Sequence, residues 1–130
     1  MAALVTDLLA FLHGHRLVET VRVIQHDETP WGKTELKVRC RLAMRSSRGE
    51  HYEFQVWLHH EPAFRDYAYQ LFTDRHLLRW DNAPHYPHVA TAPHHFHDEA
   101  NLVSESLLRG DPLADLPLVL DKIERWIARR

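Results

Sequence analysis

Apolar and polar side chains alternate through the stretch Leu36-Lys37-Val38-Arg39-Cys40-Arg41-Leu42-Ala43-Met44. Successive side chains of a strand point to opposite faces of a sheet. The pattern therefore predicts a strand that buries one face and exposes the other, with its positive charges on the exposed face.

The segments on either side of this strand carry similar signals. Turn residues 46–49 separate it from a second alternation over 51–59, which predicts an antiparallel hairpin. A strand is expected before it, around Val21 and Val23, and a second hairpin after it, from 65–72 and 76–80, although residues 62–72 are also compatible with a helix. Because the connections are short, we expect an antiparallel meander of about five strands.

Both ends of the chain have the apolar spacing of helices that cover a core. Residues 3–13 repeat leucine and valine at helical spacing, and Gly14 is placed to end that helix. A closing helix is predicted from Pro112 through Ile127. The expected fold class is α+β, in which N-terminal and C-terminal helices cover the sheet, and 130 residues predict one domain spanning residues 1–130.

Composition excludes several classes of protein. The formal net charge of −2 is too small for the whole molecule to bind nucleic acid by bulk charge, so any phosphate contact must come from a local basic surface. A single cysteine excludes an internal disulfide framework. No apolar run approaches membrane-spanning length and the N-terminus has no positively charged leader, so we expect a cytoplasmic protein without a membrane partner.

Two histidine-rich segments separated by a short gap carry the functional signal: Asp81-Asn82-Ala83-Pro84-His85-Tyr86-Pro87-His88 and Pro93-His94-His95-Phe96-His97-Asp98. They hold five of the chain's twelve histidines within thirteen residues. Imidazole titrates near neutral pH and is the commonest metal ligand, and the prolines restrict the backbone around it. A region of this length without periodic signals is typical of function rather than of core structure.

The wording and spacing of these two segments resemble the TumE family, toxins of bacterial and archaeal toxin–antitoxin modules. The family pattern runs Tyr-Asp-Asn-Ala-Pro-His-His-Pro, then about five residues, then Pro-His-His-Lys-His. The specific part of the likeness covers residues 79–97, and the chain departs from the pattern at Tyr86 and Phe96. The resemblance implies a prokaryotic toxin whose partner is a helix-turn-helix antitoxin.

The residues themselves are compatible with a small ribonuclease that blocks translation. RNA cleavage without metal needs a base, an acid and a cation for the phosphorane charge. The candidate catalytic residues are Asp81, His85, His95 and His97, which would need no cofactor. Candidate substrate-binding residues are Arg79, Asn82 and His94, together with a basic strand face and a stacking aromatic: Lys37, Arg39, Arg41 and Trp57.

Three alternatives stay open. Asp81, His85, His95 and His97 have the donor types of a zinc or other transition-metal site, which would make the protein a metal-dependent nuclease or phosphoryl-transfer enzyme. His95 and His97, two residues apart, can bind the same ion only if the backbone between them is extended. The second alternative is a non-enzymatic module in which these residues dock an antitoxin or target. The third is a loop in which they have a purely structural role. The oligomeric state is open, with a homodimer as one alternative.

Overall fold

The structure is a computed structural model that describes residues 2–130, so Met1 lies outside the described residues. One long sheet carries both helices on the same face. Helix α1 spans Ala2–Gly14 and helix α2 spans Pro112–Ala128, and apolar residues from both belong to one core cluster with the buried side chains of the sheet. None of the helices in residues 2–130 has the length and apolar character that crossing a membrane would require.

The sheet is an antiparallel meander of seven strands in sequential order. Its strands are β1 (Val18–Glu28), β2 (Thr34–Arg45), β3 (His51–Glu61), β4 (Phe64–Phe72), β5 (His76–Asp81), β6 (His95–His97) and β7 (Val103–Glu105). Each of the first four connections is short enough for a hairpin, which is why neighbours in sequence are neighbours in space.

The alternation in sequence becomes an alternation of burial. On β2 the side chains of Leu36, Val38, Cys40 and Leu42 are fully buried against the helices, and the residues between them are partly or fully exposed. Strand β3 repeats this pattern through Phe54 and Leu58. The sheet therefore has a helix-covered face and an opposite face, which we call the open face.

The α+β class and the two covering helices are confirmed, but the expected number of strands is wrong. The structure adds β6 and β7, which lie in the region that shows few periodic signals. Each has only three residues, too few for an alternation to stand out from chance. The helical alternative for residues 62–72 is also wrong, because β4 occupies this segment and pairs with β3 and β5.

Candidate functional site

Strand pairing gathers the polar residues of the two histidine-rich segments on the open face. Arg79 pairs with His97, Trp80 with Phe96, and Asp81 with His95 across β5 and β6. Phe96 faces the helices, since the Lys122 ammonium of α2 lies 3.7 Å from the centre of its ring. Because neighbouring residues of a strand alternate, the residues on either side of Trp80 and Phe96 point to the open face.

The centre of the site is the Asp81 carboxylate between two imidazoles. His95 Nε2 lies 2.9 Å from Asp81 Oδ1, and His97 Nε2 lies 3.7 Å from Asp81 Oδ2. The two rings are 4.9 Å apart, and the three residues can offer ligand atoms that all lie within 4.8 Å of one another. We call Asp81, His95 and His97 the carboxylate–histidine cluster.

The cluster is buried, and a hydrogen bond at Nδ1 fixes the orientation of each imidazole ring. His95 is 1 % exposed and shares a 2.9 Å hydrogen bond between Nδ1 and the Pro93 carbonyl oxygen. His97 makes a 2.9 Å hydrogen bond through Nδ1 to Asn101 Oδ1. In both rings Nδ1 is therefore hydrogen-bonded to a group outside the cluster, and Nε2 is the atom that faces Asp81.

Arg79 and the backbone hold the carboxylate in place. Arg79 Nε donates to Asp81 Oδ2 at 2.8 Å, and the Ala83 N–H donates to Asp81 Oδ1 at 3.0 Å. The Arg79 side chain is 40 % exposed, so the rest of its guanidinium can reach an anion from solvent. Burial lowers the pKa of His97, against the opposing effects of the Asn101 hydrogen bond and the Asp81 charge. A lower pKa favours the neutral imidazole at pH 7.

A pocket of about 180 Å³ opens beside the cluster on the open face, and its lining includes Asp81, Arg79 and Trp57. The lining combines a carboxylate, a guanidinium and an aromatic face. A ligand with an anionic group and a planar ring could accept from the Arg79 guanidinium and stack on the Trp57 ring.

Two rows of paired residues lead across the open face to the cluster. The first row runs Lys37, Trp57, Ala68, Asp81, His95, and the second runs Arg39, Gln55, Gln70, Arg79, His97. Neighbouring strands lie about 4.8 Å apart, so Trp57 is roughly 10 Å from Asp81. The basic strand face and the histidines therefore belong to the same surface.

The basic residues proposed for substrate binding differ in how free they are. Arg39 donates to Gln55 at 2.9 Å and lies over the Phe72 ring, so part of its hydrogen-bonding capacity is used. Arg41 is exposed but has a carboxylate of Glu53 at 3.6 Å. Lys37, half-buried on the first row, is the basic residue of β2 in line with Trp57 and Asp81.

Three residues expected at the site lie elsewhere or do other work. His85 is exposed and contributes no atom to the carboxylate–histidine cluster. His94 precedes His95 and shares a 2.8 Å hydrogen bond with the Tyr67 hydroxyl, whose ring belongs to the helix-side core. Asn82 lines the pocket beside the cluster, but its amide accepts from the Tyr67 N–H and donates to the Arg65 carbonyl, which ties β4 to the chain after β5.

Two residues outside the set of predicted site residues complete the site, and one of them is Tyr86, where the chain departs from the family pattern. The Tyr86 ring packs on both imidazoles, with its centre 4.7 Å from that of His95 and 5.6 Å from that of His97. Asn101 has a positive φ of 61°, a conformation that asparagine tolerates better than most residues, and this turn brings its amide to His97. The turn signal Asp98-Glu99-Ala100-Asn101 could have pointed to Asn101.

Comparison with known proteins identifies the family to which this arrangement belongs. The family model described as "Toxin TumE" matches residues 9–129, which is nearly the whole chain. The chain therefore belongs to the TumE toxin family, and the resemblance noted over residues 79–97 extends across the fold. Searches of curated proteins and of solved structures gave no match.

Proposed function

We propose that this protein is a toxin that cleaves RNA at the carboxylate–histidine cluster and so blocks translation, until a helix-turn-helix antitoxin neutralises it. Membership of a toxin family supports the toxin role. The observation that carries the chemistry is the convergence of two imidazoles and a carboxylate beside a half-exposed arginine.

Several groups on the open face support the proposal that the protein binds RNA. Trp57 offers a ring for base stacking next to the pocket that Asp81 and Arg79 line, and Lys37 extends the same row with a positive charge. A phosphate at the pocket would accept from the Arg79 guanidinium. Single-stranded RNA is the substrate class that such a surface favours, because unpaired bases are free to stack.

The scissile bond would break by attack of an oxygen nucleophile on the phosphorus atom that Arg79 holds. On the metal-free route, one imidazole accepts the proton of the 2′-hydroxyl and another returns a proton to the departing 5′-oxygen. His95 and His97 lie side by side and would share these roles once the substrate reaches their Nε2 atoms, and Asp81 would stabilise the imidazolium that forms. A metal-activated water would use the same three side chains, so the proposal of RNA cleavage is independent of the choice between the two routes.

The experiment is induced expression in cells of the wild type and of the His97→Gln and Asp81→Asn variants, with growth and RNA integrity followed together. The wild type should arrest growth and degrade RNA, and both variants should lose both effects at equal protein level. His88→Gln is the matched control, since His88 is an exposed histidine of the same region outside the cluster. Growth arrest with intact RNA would refute the ribonuclease and favour a toxin that acts by binding alone.

A further inference from the structure

The hydrogen bond behind His95 fixes which of its nitrogens carries a proton. The Pro93 carbonyl oxygen can only accept, so His95 Nδ1 must be the donor in their 2.9 Å contact. In a neutral imidazole Nε2 then carries a lone pair. That lone pair lies 2.9 Å from Asp81 Oδ1, which is also an acceptor.

Two acceptors this close and this buried repel each other unless a cation, either a proton or a metal ion, lies between them. A proton on Nε2 would need to point at Asp81 Oδ1 to give a direct hydrogen bond. His95 Nε2 has no hydrogen-bond partner in the described part of the chain although Oδ1 lies 2.9 Å away, so the contact does not have the orientation of a hydrogen bond. A metal ion bound by both atoms does not lie on the line between them. Metal–ligand bonds of about 2.05 Å at right angles give a nitrogen–oxygen separation of about 2.9 Å, and tetrahedral angles give about 3.3 Å.

A third potential ligand lies on β6, the strand that carries His95. His97 Nε2 is on the same side of β6 as His95, and its Nδ1 is held by Asn101, so Nε2 is again the atom turned to Asp81. Histidines that bind metals commonly donate their other nitrogen to a carbonyl or carboxylate, which fixes the ring and its tautomer. The contacts of His95 to Pro93 and of Asp81 to Arg79 have this supporting role.

We infer that Asp81, His95 and His97 form a binding site for one divalent transition-metal ion, for which Zn²⁺ or Mn²⁺ is suited. Two imidazole nitrogens disfavour Mg²⁺ and Ca²⁺, which prefer oxygen ligands. Three protein ligands leave at least one coordination position for water or for a phosphate oxygen, the arrangement of a catalytic rather than a structural site. The site's role in the reaction rests on the proposed RNA cleavage, whereas binding of the ion does not.

The test is metal binding to the full chain after treatment with a chelator. Zn²⁺ is titrated by calorimetry, and Co²⁺ is added separately as a spectroscopic probe whose visible absorption reports nitrogen and oxygen ligation. One ion per chain is expected for the wild type and for His88→Gln. His97→Gln and Asp81→Asn should bind at least 100-fold more weakly while circular dichroism shows the fold intact. Absence of stoichiometric binding, or equal binding by wild type and His97→Gln, would overturn the inference.

RNA cleavage measured in the same preparations separates the two proposals. If the chelator-treated protein cleaves RNA at full rate, the metal site is overturned for catalysis and the ribonuclease stands. If one ion binds through the cluster but no RNA is cleaved with Zn²⁺ or Mn²⁺ present, the ribonuclease is overturned and the metal site stands. Restoration of cleavage by either ion, lost again in His97→Gln, supports both.

Discussion

The Asp81 carboxylate should contribute more to stability than other acidic side chains in the same region, because each of its oxygens accepts from a different donor. Oδ2 accepts from Arg79 Nε at 2.8 Å and Oδ1 accepts from the Ala83 N–H at 3.0 Å. Asparagine has the same shape but only one oxygen. In Asp81→Asn the amide can serve one donor, and its NH₂ group must face the other.

The expected cost can be worked from these two contacts. Because the Arg79 side chain is 40 % exposed, its bond to the carboxylate is worth only about 1 kcal/mol after solvent screening. A buried hydrogen bond to a charged group contributes about 1.5–3 kcal/mol, of which a neutral amide keeps part. Losing one contact and weakening the other, offset in part by a new bond from the asparagine NH₂ group to His95 Nε2, should reduce the free energy of unfolding by about 1 kcal/mol, which corresponds to roughly 3–5 °C in Tm for a chain of this size.

Asp98→Asn is the matched control. A single oxygen, Asp98 Oδ1, accepts from both the Ala100 and the Leu102 N–H groups, so the asparagine oxygen can keep both bonds. Its cost should stay below about 0.5 kcal/mol. Urea unfolding followed by tryptophan fluorescence measures both variants. Equal stabilities of Asp81→Asn and wild type in metal-free buffer would refute the assignment of two separate donors to the carboxylate.

Three further predictions concern other parts of the molecule. His60 is 3 % exposed with both ring nitrogens unpartnered among residues 2–130, and burial, with the nearby Arg65 charge, lowers its pKa. Stability should therefore be complete above about pH 6.5 and fall as the pH drops towards the lowered pKa. In urea titrations His60→Leu should gain about 1 kcal/mol at pH 7 and lose part of that pH dependence, and a less stable variant would contradict this. Burial raises the pKa of Cys40 to about 12, so a thiol reagent at pH 8 should label the native protein at least ~1000-fold more slowly than the unfolded chain. Trp57→Ala should weaken binding of single-stranded RNA about 5- to 100-fold in a filter-binding or anisotropy titration, whereas Trp31→Ala, in an exposed turn, should leave it unchanged.

The long hairpins were predictable because their signal is local. The alternation at Leu36–Leu42 and at Tyr52–Leu58 determines which face of each strand is buried, and short turns leave few ways to pair the strands. The helices were predictable for the same reason, since Leu8 and Leu12 or Leu120 and Ile123 repeat within one element. No distant contact is needed to read either pattern.

The composition of the site was only partly predictable, because it depends on pairing between β5 and β6 across the intervening region. The sequence drew attention to five histidines and made His85, His95 and His97 the catalytic candidates, but it could not show which of them lie together. Register decides: Asp81 pairs with His95, which also brings His97 to the open face, while His85 lies in the connection and stays exposed. Strand alternation does separate His94 from His95, since adjacent residues of an extended segment face opposite ways. That rule alone places His94 on the opposite side of the segment from His95 and His97.

The most direct measurement is the rate at which the purified protein cleaves a fluorescent single-stranded RNA, for the wild type, His97→Gln, His85→Gln and His88→Gln, with Zn²⁺ or Mn²⁺ supplied and with chelator. If the carboxylate–histidine cluster is the reaction centre, His97→Gln should lower the rate at least ~100-fold with its fold intact, and the other two variants should stay within a few-fold of the wild type. Full activity of His97→Gln would contradict the assignment of the cluster as the reaction centre. A loss of about 100-fold or more in His85→Gln would contradict it as well.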